Sequence, residues 1–329
     1  MIIQRIMALK QEEKFELIKR NSAELITEEE IKKLIEEKKN PVTYCGYEVS
    51  GEVHLGHLVT ITKLLDLQKA GFHVKVLFAD WHTWLNKKGE WSFIHEMIKK
   101  WEKAFKALGL ENAEYVLGSS FQRTQAYIDD LLTLSLNTTV NRSLRSMQEV
   151  ARDFEHATVS QMIYPLMQIN DIKYLDVDLT EAGIEQRKIH ALAREIMNKI
   201  NFRKPLFVHT PLINSLQGPG KKMSSSVEGS LISVQDEEAE IKKKIAKAHC
   251  LEGVTENNPM LEITKLILFP HLNKIKIERD QKFGGDIEFN NYNELEKSFE
   301  EKELHPMDLK NAVARDLNKI LAPMRKKLK

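Results

Sequence analysis

Two histidines stand three residues apart around a single glycine in "EVHLGHLVT", where a β-type run gives way to a helical one. His54, Gly56 and His57 therefore fall at the start of a helix. Its unpaired backbone N–H groups and its dipole favour an anion. Gly56 lets a ligand approach the backbone with no Cβ in the way. Two imidazoles beside it can donate hydrogen bonds to phosphate oxygens as negative charge develops there. The same pair also reads as surface or capping histidines, since short motifs match by chance. No cysteine or close carboxylate completes a metal set around them, and no metal site is expected.

A second polar cluster follows far downstream in "GPGKKMSSSVEG". Lys222 carries a point charge on a long stem, suited to following a pyrophosphate. Ser224, Ser225 and Ser226, with their backbone N–H groups, can form an anion-binding turn. Taken alone, such a loop is a solvated linker. A third cluster, "YPLMQIND" (164–171), puts Gln168, Asn170 and Asp171 within four residues. It reads either as a buried helix with an incidental polar face or as the wall of a site, because buried polar groups need partners.

The elements that must position these residues alternate. Residues up to about 40 read as helices, with Thr27 and Glu30 forming a capping box. Val42 to Tyr47 reads as a strand and Gly56 to about Ala70 as a helix. Residues 74–80 read as a second strand, followed by a helix with Phe93, Ile94, Met97, Ile98, Trp101 and Phe105 on one buried stripe. Residues 113–120 read as a third strand. Strand–helix–strand units of this length are parallel crossovers. Residues 121–163 read as a helical insertion. A strand to about Asp178, a helix from Glu185 and a strand in "KPLFVHTPLI" restore the alternation. Beyond residue 234 the chain reads as helical, with Leu309, Val313, Leu317 and Leu321 on one stripe of the last helix. The fold class expected is α/β: a Rossmann-like doubly wound parallel sheet with a helical insertion, followed by an α-helical C-terminal domain. The boundary is expected between 1–233 and 234–329.

Bulk properties narrow the function. The 329 residues allow about two domains. A net charge of +1 excludes a globally basic nucleic-acid binder, so any basic surface is local. The two cysteines, Cys45 and Cys250, lie far apart with no zinc spacing, which fits a reducing cytoplasm. Charges interrupt the N-terminal segment, and no apolar run approaches the ~20 residues of a membrane span. A cytoplasmic protein with no membrane association is expected.

In this order, "HLGH" and "KMSSS" resemble the two signatures of class I aminoacyl-tRNA synthetases, H-I-G-H and K-M-S-K-S. The resemblance narrows to the tyrosyl enzymes of archaeal and eukaryotic type through "GYEVSGEVHLGH", "VLFADWHTWLN", "FQRT", "MIYPLMQINDIKYLDVD", "EAGIEQRKIHALARE", "KFGGD" and "HPMDLKNAVA". It implies that tyrosine reacts with ATP, then passes from the adenylate to the end of tRNA(Tyr). It implies a phenol held by Tyr44 and Asp171, and an α-amino group held by Tyr164, Gln168 and Gln186. It places catalysis on His54, His57, Lys222, Ser224, Ser225 and Ser226. ATP contacts are implied at Gly46, His54, Gly56, His57, Lys222, Met223 and Ser225, with Mg²⁺ accompanying ATP and no tightly bound cofactor. Arg145, Arg187 and Lys188 are implied near the acceptor stem, and Phe283, His305 and Asp308 at the anticodon. A homodimer through the inserted segment is implied as well, where "YIDDLLTLSL" reads equally as core.

Two positions depart from the family pattern: Ser225 replaces a second lysine, and Val49 stands where relatives often carry proline. Asp308 also suits the first turn of a helix, and Arg142 reads as solvated surface. Three rivals remain. A tryptophanyl synthetase would present Asp171 to an indole N–H. A small nucleotidyltransferase would have no use for "YPLMQIND" or the appended helical domain. A synthetase-derived RNA-binding protein would be expected to lose its signatures, and both are intact here.

Overall fold

In the computed structural model, residues 9–150, 156–220, 223 and 229–328 are described. The chain divides into two units, Met1–Val49 with Lys63–Ile94 and Asn112–Thr210, and Ser50–Thr62 with His95–Glu111 and Pro211–Lys329.

The first unit holds a six-stranded sheet. In chain order its strands are β1 (Glu24–Ile26), β2 (Val42–Tyr47), β3 (His73–Phe78), β4 (Glu114–Leu117), β5 (Leu179–Gly183) and β6 (Leu206–Thr210). Their order across the sheet is β1-β6-β5-β2-β3-β4, parallel except for β1 on β6. Along the chain come α1 (Gln11–Lys19), α2 (Glu28–Glu37), α3 (Leu55–Lys69), α4 (Asp80–Leu85), α5 (Trp91–Ala107), α6 (Gln125–Leu136), α7 (Val140–Met147), α8 (Val159–Tyr174) and α9 (Arg187–Ile196), of which α3 up to Thr62 and α5 from His95 are assigned to the second unit. The chain runs from β2 outward to β4, then returns through α6 to α8 to place β5 on the other flank of β2. The switch point of this doubly wound sheet therefore lies between β2 and β5, where such folds bind ligands at the carboxyl ends of the strands. Beside it, Tyr44, Leu77 and Phe207 from the sheet pack with Leu134, Ile169, Ile172, Ile189 and Leu192 from α6, α8 and α9.

Local chemistry explains the inserted helices. Thr124 and Thr139 accept N–H hydrogen bonds from Tyr127 and Arg142 and so cap α6 and α7. Thr158 and Gln161 form a reciprocal capping box at the start of α8.

The second unit carries α10 (Glu238–Lys247), α11 (Pro259–Ile263), α12 (Phe269–Leu272), α13 (Tyr292–Glu300) and α14 (Pro306–Leu328). Leu309, Val313, Leu317 and Leu321 on α14 are all buried. Between α11 and α12, Thr264–Leu268 widens into a π-helical turn ahead of Pro270, which has no N–H for the ladder.

Four local expectations need correction. The N-terminal forty residues are not all helical, because Glu24–Ile26 pairs antiparallel with β6. The strand expected to end at Asp178 begins at Leu179, since Lys173 and Tyr174 complete α8, and the next α-helix opens at Arg187 after a 3₁₀ turn. The C-terminal region contains a two-stranded antiparallel ribbon, β7 (Ile275–Ile277) with β8 (Ile287–Phe289). Phe93 leaves the buried stripe of α5 and is 38% exposed, its ring folded over Gly89.

Candidate active site

α8 presents Tyr164, Gln168 and Asp171 at spacings of four and three, which puts them on one helix face. Asp171 is buried, and two donors meet its carboxylate. Gln122 Nε2 lies 2.8 Å from Oδ1 and 3.0 Å from Oδ2. Tyr127 donates its hydroxyl to Oδ1 at 2.8 Å. His82 Nε2 stands 3.8 Å from Oδ2, and its ring meets Tyr164 edge-on. Burial, reinforced by the neighbouring Asp80 carboxylate, raises Asp171 to a pKa of about 7 despite the hydrogen bonds from Gln122 and Tyr127.

Tyr44 is buried on β2, and burial followed by the charge of Asp171 pushes its phenol upward. Tyr164 is raised for the same reasons, with Glu48 acting ahead of Asp171. Gln168 donates to Gln186 Oε1 at 3.2 Å. The five residues expected to hold an amino acid are thus brought together. One acceptor carboxylate beside a hydroxyl suits a ligand O–H that both donates and accepts. Gly46 is exposed near the end of β2, and a Cβ there would meet only Leu77 and Tyr44, at 3.7 Å.

Gln122, Tyr127, His82 and Asp80 had no role in the sequence reading. Asp80 Oδ1 accepts the N–H groups of Trp81 (2.8 Å) and Ser119 (2.9 Å), which ties the end of β3 to the turn after β4. The signal available for Gln122 was its position just beyond a strand's carboxyl end in a sheet of this class. Tyr127 offered none, because its contact is made only when α6 packs on α8.

The histidine pair lies in the second unit. His54 Nδ1 accepts the N–H of Gly56 (3.1 Å), and His57 Nδ1 accepts that of His54 (3.2 Å). Each ring therefore carries its proton on Nε2. The His54 ring lies so close over Gly56 that an added Cβ would stand 2.9 Å from its Cε1, and the ring would have to shift to admit it. Burial lowers His54 to a pKa of about 4, so its ring is neutral near pH 7. His57 packs on Trp101, whose Nε1 donates to the Gly51 carbonyl at 2.7 Å.

The loop before α3 is also paired with the chain that follows the lysine–serine segment. Leu55 N–H donates to Ile232 O (3.1 Å) and Val234 N–H to Val53 O (2.9 Å), and Ser233 donates its hydroxyl to Glu52 at 2.5 Å. Lys222, Ser224, Ser225 and Ser226 lie outside the described residues. Met223 is buried, with its N–H donated to Ile213 O at 3.2 Å. Among the described residues no group of three or more His, Cys, Asp or Glu is arranged to hold a metal ion, and no helix is long and apolar enough to cross a membrane.

Of the residues expected to meet RNA, Arg145 is exposed on α7. Arg187 pairs with Glu24 at 2.9 Å and Lys188 with Glu149 at 2.8 Å, while Arg142 pairs with Glu195. Phe283 is 63% exposed, with Lys282 Nζ 4.9 Å from its ring centre. His305 Nδ1 accepts the N–H of Met307 at 3.1 Å and so caps α14. Asp308 falls in the first turn of that helix without being its cap.

The family model for class I tRNA synthetases (W and Y) matches residues 36–322. A curated tyrosine–tRNA ligase of Archaeoglobus fulgidus is 50% identical over 96% of this chain and 98% of its own length. One of Methanoculleus marisnigri is 51% identical over 94% and 97%. The crystal structure of tyrosyl-tRNA synthetase complexed with L-tyrosine from A. fulgidus superposes with a TM-score of 0.94, at 50% identity, covering 97% of this chain and all of that one. The two signatures, the polar face of α8 and these likenesses along nearly the whole chain agree: it belongs to the class I tRNA synthetases, in the tyrosyl family.

Proposed function

We infer that the chain is a tyrosine–tRNA ligase, which joins L-tyrosine to ATP as tyrosyl-adenylate and transfers the tyrosyl group to tRNA(Tyr). The observation that carries the reading is the buried carboxylate of Asp171, oriented by Gln122 and Tyr127 and faced by Tyr44. A phenylalanine side chain could make neither of these hydrogen bonds. Tyrosyl enzymes are themselves the standard case of this discrimination, rejecting phenylalanine by about 10⁵ without editing. An indole offers a donor but no acceptor, so it would satisfy Asp171 and leave Tyr44 idle.

In the activation step the tyrosine carboxylate attacks the α-phosphorus of ATP and pyrophosphate leaves. No side chain becomes covalently bound, so catalysis rests on positioning and charge stabilisation. Tyr164, Gln168 and Gln186 hold the α-amino group and leave the carboxylate available. His54 and His57 donate from Nε2 to phosphate and ribose oxygens, and as a neutral ring His54 needs no proton taken up or released in the working range. Gly46 and Gly56 leave room for the nucleotide. Lys222, Met223, Ser224, Ser225 and Ser226 follow the pyrophosphate, and Mg²⁺ accompanies ATP through phosphate oxygens and water.

In the transfer step, Arg145, Arg187 and Lys188 meet the acceptor end. Phe283 and His305 stack on unpaired anticodon bases, and Asp308 accepts from a base edge. This assigns catalysis to 1–233 and anticodon reading to 234–329. The enzyme acts in the cytoplasm as a homodimer.

Amino-acid-dependent exchange of pyrophosphate into ATP, run with each of the twenty amino acids, tests this reading. Exchange with tyrosine alone is expected. Exchange with tryptophan would overturn the pocket assignment. Absence of exchange with any amino acid would favour the RNA-binding rival.

A further inference from the structure

Arg187 ends a chain of polar groups that begins deep in the first unit. Its Nε donates to both carboxylate oxygens of Glu24 at 2.9 Å. Glu24 Oε2 lies 3.0 Å from His209 Nδ1, and His209 Nε2 lies 2.8 Å from His190 Nδ1. Both imidazoles are fully buried, and His190 stacks on Phe207 at 4.2 Å. The carboxylate fixes the protons along the chain. His209 donates from Nδ1 to Glu24, which leaves Nε2 as an acceptor, so His190 donates to it from Nδ1. Burial lowers both imidazoles and keeps the chain neutral behind the carboxylate.

The short strand β1 supplies this arrangement, because its register sets Glu24 directly opposite His209 on β6. An ion pair with side chains 55% and 27% exposed adds little to stability. Two buried histidines behind such a pair make sense as an orienting device. Both contacts of Arg187 use Nε, so the donors on Nη1 and Nη2 remain for a second partner. Holding a long, rotamer-rich side chain in place beforehand lowers the entropy lost when that partner binds. Arg187 also directly follows Gln186, which reaches Gln168 in the amino-acid pocket.

We propose that Glu24, held by His209 and His190, is a positioning residue that presents the Arg187 guanidinium to a phosphate or base edge of the tRNA acceptor end. The proposal rests on the reading of Arg187 as an RNA contact. It gives β1, His190 and His209 a role in the transfer step and none in activation.

The test compares tRNA charging with tyrosine-dependent pyrophosphate exchange in the full-length enzyme and in Arg187→Ala, Glu24→Gln, Glu24→Asp, His209→Phe and the Glu24→Gln/Arg187→Ala double variant. Arg187→Ala and Glu24→Gln are expected to raise KM for tRNA by about 5- to 10-fold with exchange unchanged. Glu24→Asp restores part of the loss, His209→Phe moves KM the same way, and the double variant is no worse than Arg187→Ala. An unchanged or lower KM in Glu24→Gln or in His209→Phe overturns the proposal, as does a Glu24→Gln effect that persists in full without Arg187. If Arg187→Ala itself leaves KM unchanged, the RNA assignment of Arg187 fails and the proposal with it. Loss of tyrosine-dependent exchange in the unmodified enzyme would instead sink the ligase reading.

Discussion

At the scale of single residues, Asp171 carries the most consequence. Its pKa of about 7 in the ligand-free site means that much of it is protonated just below neutrality. A phenol donates more strongly to the ionised form, so below pH 7 tight binding comes with expulsion of a proton. Tyrosine affinity should therefore hold steady above about pH 7.5 and fall as pH drops, approaching tenfold per unit well below the pKa. Calorimetric titration of tyrosine from pH 5.5 to 8.5 checks this, with Asp171→Asn expected to bind weakly and without that pH dependence. Affinity that is flat across the range, or rises toward acid, would mean that the carboxyl meets the phenol in its protonated form. His54 behaves in the opposite way. Its pKa of about 4 keeps it neutral throughout this range, so it adds no inflection of its own.

At the scale of elements, the placement of the histidine signature at a helix start and the helix bearing "YPLMQIND" were readable from sequence because their spacings are local. His54 and His57 act within one turn, and Tyr164, Gln168 and Asp171 share a face whatever packs against α8. The other half of the pocket was not readable. Gln122 and Tyr127 reach Asp171 across 49 and 44 residues of chain, a contact only the packed helices create. Strand β1 was missed for a related reason: three residues have no periodicity of their own and become a strand by pairing with β6.

The ladder between Val53–Leu55 and Ile232–Val234 is likewise non-local, and it ties the histidine loop to the chain around Ser233. Ser233 donates to Glu52 through a charge-assisted bond. Ser233→Ala should raise KM for ATP by about tenfold, as the loss of one such bond (about 1.5–3 kcal/mol) permits. Tyrosine affinity, set in the first unit, should not move. An equal loss of tyrosine and ATP binding would show that the bond merely supports folding.

At the scale of the whole molecule, the inserted helices leave apolar surface uncovered. Ile128, Leu132 and Leu136 on α6 are 39%, 61% and 87% exposed, and Val140 at the start of α7 is 59% exposed. Ile128, Leu132 and Leu136 fall at four-residue intervals, so they form one stripe on α6. The reading of "YIDDLLTLSL" as core thus holds for Tyr127 and Leu134, and the stripe is what remains for a partner. An apolar stripe of this kind is costly in water and suits an isologous contact, in which the same patch meets itself across a two-fold axis. Because both copies carry every substitution, one charged residue on the stripe is introduced twice in the interface. Sedimentation equilibrium at micromolar concentration should give about twice the 38.1 kDa chain mass for the unmodified protein and a single-chain mass for Leu132→Arg with Leu136→Arg. Pyrophosphate exchange measured on the same samples separates the roles. If the monomer still activates tyrosine and no longer charges tRNA, RNA capture requires both copies; an unmodified protein that sediments at the single-chain mass would remove the dimer from the account.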